Sequence, residues 1–224
     1  MITANALLAG GSDVDGNTSI ATASISPGKG RLVLLTVHTE HHSGSSNNIP
    51  TATGCGLTWV QVATVDGTQG RLTMLRALGT PTPGAVTIDC AGQTQYNWTW
   101  TIDEFINVDP SGANGANAII QAGTTYETDV PNNTGISVAL GAFSNLNNAT
   151  YGSCIAKGNP TISVGASFTQ LENTTPLGQG EVSSEWANNN QTTVNWTWAS
   201  KQSKNWAIAV ELKYFSASGF FPFL

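Results

Sequence analysis

Apolar and polar residues alternate with a period of two along nearly the whole chain, and no stretch of ten or more residues holds a 3.6-residue period. Side chains two apart share one face of an extended strand, whereas a helix face needs spacings of three and four. An all-β fold is therefore expected, with strands at residues 18–25, 31–38, 57–65, 71–78, 85–90, 98–108, 118–122, 135–143, 150–155, 161–171, 181–186, 192–198 and 206–215. Turn formers separate them, among them Ser26-Pro27-Gly28, Asp66-Gly67, Pro81-Thr82-Pro83-Gly84 and Asp109-Pro110-Ser111-Gly112. Short strands at this spacing predict an antiparallel sandwich or barrel. A βαβ architecture is excluded because its crossover helices are missing.

The expected organisation is one β-sandwich domain of jelly-roll type, residues 1–215, followed by a distinct apolar tail at 216–224. No linker divides the first part. Asn97-Trp98-Thr99-Trp100 ahead of Glu104-Phe105 echoes Asn195-Trp196-Thr197-Trp198 ahead of Trp206 and Glu211-Leu212. Two Trp on one strand face account for that echo without a repeat. In the tail, Gly219 and Pro222 oppose a regular strand, while Phe220, Phe221, Phe223 and Leu224 call for burial against something.

Charge narrows the partners. Only 10% of the residues are charged, the formal net charge is -6, and the eight Lys and Arg form no run. Nothing here would neutralise a phosphate backbone or an anionic lipid surface, so no direct nucleic acid and no membrane are expected. Cys55, Cys90 and Cys154 show no C-x-x-C spacing, and the first residues lack a signal-peptide pattern. Both features predict synthesis and folding in a reducing cytosol.

Candidate chemistry is sparse. His38, Glu40 and His42 alternate where a strand runs into a loop, with His41 beside them, but H-T-E-H-H matches no zinc motif and reads as a solvated loop opening. A glycoside hydrolase needs two carboxylates. Asp103 and Glu104 are adjacent and point to opposite strand faces, which leaves Glu104 with Glu211 as the pair to examine. Gly165-Ala166-Ser167-Phe168 fails as a nucleophile elbow, and Gly28-Lys29-Gly30 is a turn rather than a phosphate loop. No catalytic residue, cofactor or metal is assigned. Most of the seven Trp lie in strand patterns and belong to a core. Trp186, beside Asn188-Asn189-Asn190, is the candidate for stacking on a sugar ring.

Several segments recur in a familiar order. Pro27-Gly28 leads into Leu32-Val33-Leu34-Leu35, followed by Gly56-Leu57-Thr58-Trp59-Val60-Gln61-Val62 and Arg71-Leu72-Thr73-Met74-Leu75-Arg76-Ala77. Gly84-Ala85-Val86-Thr87-Ile88 and a Trp-bearing strand ending in Glu104-Phe105, with Val108-Asp109 beyond, complete the series. Over roughly residues 18–143 it resembles the jelly-roll-like modules of bacteriophage structural proteins and bacterial surface proteins. That resemblance implies assembly or attachment more than catalysis, and no enzymatic activity is expected. The function expected is a virion structural protein, above all a capsid decoration or cement protein. It would form a homo-oligomer (a trimer would bring the histidines together) and bind the major capsid protein or other virion proteins. The alternatives are a carbohydrate- or receptor-binding module of a phage tail or cell surface, and a β-sandwich glycoside hydrolase.

Overall fold

The computed structural model describes residues 1–13, 15–41, 48–128, 133–175, 180–200, 202 and 204–216. The first half supplies β1 (Thr3–Ser12), β2 (Ser19–Ala21), β3 (Leu32–Glu40), β4 (Thr51–Gly54), β5 (Leu57–Thr58), β6 (Val60–Gly67), β7 (Gly70–Leu78), β8 (Val86–Asp89) and β9 (Asn97–Ile106). They form a five-stranded sheet ordered β1-β9-β3-β7-β6 and a four-stranded sheet ordered β2-β8-β4-β5. A 3-10 turn (Ala113–Ala118) leads into the second half. That half contains β10 (Ile119–Thr128), β11 (Gly135–Ala139), β12 (Ala149–Lys157), β13 (Ser163–Val164), β14 (Thr169–Thr174), β15 (Gly180–Ala187), β16 (Thr193–Thr197) and β17 (Lys204–Leu212). Its sheets are ordered β10-β17-β12-β15-β14 and β11-β16-β13.

The all-β sandwich architecture is as the alternation predicts. Its layering is richer. Instead of about a dozen strands in one sandwich, the described residues form seventeen strands in four sheets. Substituting β10, β12, β14, β15 and β17 for β1, β3, β6, β7 and β9 converts the first five-stranded order into the second. The outer order β2-β8-β4 likewise becomes β11-β16-β13. The two halves repeat one topology.

Three apolar layers hold the four sheets. The central one joins the two five-stranded sheets and draws on Leu32, Leu34, Leu72, Met74 and Phe105 from one half and on Tyr151, Val182, Trp206, Ile208 and Val210 from the other. Val33, Leu35, Val37, Val86, Ile88, Trp98, Trp100 and Ile102 fill the first outer layer. Ile136, Val138, Cys154, Val194, Trp196, Ala207 and Ala209 fill the second. Leu32 and Leu34 thus face one layer while Val33, Leu35 and Val37 face another. A strand covered on both faces must be apolar at successive positions, which explains the run RLVLLTVH.

Contacts across the central layer come in exchangeable pairs. β1 lies by β14 and β6 by β10, while β9 lies by β15 and β7 by β17. Exchanging the halves maps each of these four contacts onto its mate, the pattern of an approximate twofold relation, from which the added contact of β6 with β17 departs. The NWTW strings are not the mark of the repeat, because they lie on β9 and β16, which are not counterparts. Glu104-Phe105 and Glu211-Leu212 are: Phe105 pairs with Leu32 as Leu212 pairs with Ala149, at the first residue of β3 and of β12.

β1 escapes the sequence reading because TANALLAGGS is poor in the β-branched and aromatic residues that favour strands. Pairing with β9 holds it in place, with Gly10 opposite Trp100. A Cβ on Gly10 would stand 2.8 Å from the Trp100 ring. Gly10→Val is expected to cost about 1–3 kcal/mol through overpacking, read as a lower denaturation midpoint. An unchanged midpoint would show that the edge strand moves aside.

Candidate functional site

Glu104 and Glu211 occupy counterpart positions and are sealed, at 3% and 1% exposure. Glu104 accepts from the Asn5 side-chain amide (3.1 Å) and the Gly28 N–H (2.9 Å), and it pairs with Arg31. Glu211 accepts from the side-chain amides of Gln121 (2.6 Å) and Asn148 (2.6 Å). The donors correspond as well. Asn5 and Gln121 stand opposite the two glutamates on β1 and β10, and Arg31 and Asn148 each directly precede the third strand of their half. Each carboxylate brackets the loop that enters that strand. Burial raises the Glu104 pKa, but the Gly28, Asn5 and Arg31 contacts outweigh it and leave the group below its ordinary value.

This arrangement removes the glycosidase pair. β9 and β17 belong to different sheets, and both carboxylates are enclosed and consumed by their own donors. A sugar-cleaving pair must flank an accessible bond at a separation of about 5–10 Å. As expected, Asp103 points away from Glu104. It faces the central layer, where it accepts from the Tyr151 hydroxyl at 2.8 Å.

The central layer carries most of the unusual electrostatics. Burial raises Asp103 to about 7, against the lowering effect of the Tyr151 hydrogen bond. In the second outer layer, burial raises Glu185 to about 8 although the Gly165 N–H donates to it at 2.9 Å. His38 lies fully buried against Trp206, with ring centroids 4.7 Å apart, and neither of its nitrogens has a hydrogen-bond partner among the described residues. Burial, aided by the Lys157 charge, depresses it to about 3.

These shifts act in opposite directions on stability. Asp103 and Glu185 bind protons more tightly folded than unfolded, so their contribution is complete below about pH 4 and is lost as pH rises through about 7 and 8. His38 binds its proton more weakly when folded, so it costs stability as pH falls from about 6.5 towards 3. Asp103→Asn keeps an acceptor for Tyr151 and removes the ionisation. It is expected to raise stability at pH 8 by up to about 4 kcal/mol and to change little at pH 4, since burial lifts the group by about three pKa units and each is worth about 1.4 kcal/mol. Melting temperature against pH is the measurement, and an unaltered slope between pH 5 and 8 would refute the assignment.

Other candidates fall elsewhere. Glu40 shares the His38 face but is paired with Lys157, and His42 lies outside the described residues. Among the described residues no three metal-ligating side chains of the His, Cys, Asp and Glu types gather. Cys55, Cys90 and Cys154 are buried free thiols, with Cys90 pushed up to about 12 chiefly by burial. Trp186 sits within β15, half-buried against the central layer. An open groove of about 240 Å³ is lined by Glu127, Ser137, Asn195 and Thr197. Its one aromatic neighbour, Trp196, is buried and offers no ring to a sugar.

One end of the central layers presents a different surface. Met1 is 76% and Leu146 77% exposed, and Ile120 and Phe215 are exposed as well. Register places them at the same end of the fold. Met1 leads into β1 where Thr3 pairs with Ile106, Leu146 precedes Ala149, which pairs with Leu212, and Phe215 follows that residue. Ile120 sits in the bulge where β10 meets the same end of β17. Asn107, in the left-handed region at φ 63°, donates its amide to the Met1 carbonyl (3.0 Å) and accepts the Phe215 N–H (2.9 Å). Phe220, Phe221, Phe223 and Leu224 lie outside the described residues, and the chain leads to them from this end. Met1, Ile120, Leu146 and Phe215 carry no signal in the sequence, because they are apolar residues scattered over the whole chain.

Comparison of the chain with family models, curated proteins and solved structures finds no match.

Proposed function

We propose that this chain is a non-enzymatic structural protein of a bacteriophage virion, a capsid decoration or cement protein that works by contact with the major capsid protein or a neighbouring virion protein. The observation that carries this reading is the apolar end of Met1, Ile120, Leu146 and Phe215, continuous in sequence with the Phe-rich residues 216–224. An exposed cluster of large apolar side chains is a surface waiting to be covered. Enclosure of the acidic groups supports it too, since Glu104, Glu211, Asp103 and Glu185 are all committed to internal bonds. The strand order supports a jelly-roll reading of the first half, where β1-β9-β3-β7 facing β2-β8-β4-β5 is the order left by rolling up an eight-strand antiparallel ribbon. The second half follows the same order without a counterpart of β5 among the described residues.

The test uses virions purified from cells that make the native chain, stripped of it by mild chaotrope and incubated again with labelled protein. The full chain should return to saturation. A chain lacking residues 217–224, and separately Leu146→Ser/Phe215→Ser, should lose at least about tenfold in affinity, since each buried apolar side chain is worth about 1.5–3 kcal/mol. Absence of the chain from purified virions, or equal binding by all three proteins, refutes the reading.

A further inference from the structure

The two halves are joined by one passage of chain and by an interface built from side chains. Among the described residues no strand of β1–β9 pairs with a strand of β10–β17, and the backbone bonds between the halves are those of Asn107–Asp109 with residues 213–215. Across the interface the Thr101 and Ser153 hydroxyls meet at 3.3 Å, and Tyr151 donates to Asp103. Lys157 pairs with Glu40, and Lys204 donates to Gln69 at 2.7 Å. Each half also has an outer core of its own. The halves therefore meet as two subunits of a dimer do, in an approximate twofold relation.

Between them lies a tightly wound connection. Gly112, Asn114 and Gly115 have φ of 77°, 52° and 73°, three residues of positive φ within four, of which Asn114 and Gly115 are left-handed helical. For Asn114 that conformation costs about 1 kcal/mol relative to an extended one. Pulled straight, residues 110–118 would span about 30 Å, enough to hand the second half to a neighbouring molecule. The Asn107–Asp109 ladder and the Asp109–Lys213 ion pair (2.7 Å) would re-form between chains. An exchange of this kind keeps the contacts between the halves and relieves the strained turn, and it gives up the packing of the turn itself on Leu32 and Leu78.

We propose that the central layer is also an intermolecular docking surface, whose partner is the opposite half of a second copy of this chain in a reciprocal, hinge-opened dimer. The proposal is independent of the virion reading. It is tested in the full chain as Glu40→Cys/Lys157→Cys, which places one thiol on each side of the interface while the three native cysteines stay buried. A short bis-maleimide then reports whether the two sides belong to one chain. In that background, removal of residues 113–116 should make a crosslinked dimer the main species on a denaturing gel. A monomer crosslinked within itself, or a dimer whose chains are each crosslinked internally, overturns the proposal. If the shortened protein does not fold, the unshortened variant decides. Concentrated, held briefly in urea near its midpoint and returned to buffer, it should give interchain crosslinks that increase with protein concentration. Crosslinks confined to single chains at every concentration overturn it equally.

Discussion

Trp206→Ala lowers stability by about 3–5 kcal/mol, the usual range for emptying a buried indole site. The loss is this large because Trp206 belongs to one half and is seated in the other. Its ring stacks on Tyr126 at 5.0 Å and lies against His38. A Cβ on Gly67 would come within 2.5 Å of the indole nitrogen, and one on Gly70 within 2.8 Å of the ring. The hairpin joining β6 to β7 is closed over the ring by these two glycines, and its Thr68 N–H donates to the Tyr126 hydroxyl at 2.9 Å. Alanine at 206 removes the wedge and opens space beside His38. Water reaching that imidazole should bring its pKa from about 3 back towards its ordinary value. Urea denaturation measures the first effect and NMR titration of the histidine the second. A cost below about 1 kcal/mol, with His38 still depressed, would mean that the layer closes over the gap.

Glu104→Ala is expected to cost about 3 kcal/mol, for a different reason. It deletes no large volume, but it leaves the Gly28 N–H, the Asn5 amide and the Arg31 guanidinium without their shared acceptor. Arg31 is partly exposed and can turn to water, which keeps the figure at the lower end of the range for broken buried pairs. The pH dependence identifies the cause. Because the folded pKa of Glu104 is depressed, its contribution is present above the ordinary glutamate value and is lost as pH falls through the folded value. The alanine variant should therefore lose most stability at neutral pH and converge on the native protein in acid. Glu104→Gln, which keeps the shape and one acceptor, should fall between them. Equal losses at pH 3 and pH 7 would rule out the ionic bracket. Glu211→Ala is a useful contrast, since its partners are neutral amides and its loss should depend less on salt.

Alternation and turn residues were enough to give the all-β class and nearly every strand, because a two-residue period is local and each strand carries its own copy. β1 was invisible for the complementary reason: its Ala- and Gly-rich sequence is extended only because β9 pairs with it and Trp100 needs the room at Gly10. The repeat was hidden because the same strand order can be encoded by different side chains. Of the apparent echo, only Glu104-Phe105 and Glu211-Leu212 fall on counterpart positions. Adjacency along the strand told correctly that Asp103 and Glu104 face opposite ways. Whether Glu104 could meet Glu211 depended on which strands share a sheet, a long-range fact that no local pattern contains. The same holds for the apolar end, where residues 1, 120, 146 and 215 come to share one end of the fold only after register and layering are fixed. The sequence by itself determined what each segment would be, since strand period, turn chemistry and low charge are properties of neighbours in the chain. Tertiary structure alone decided which segments face one another, because burial and pairing reward contacts between residues far apart, and those contacts set the twofold layering, the sealed carboxylates and the exposed end.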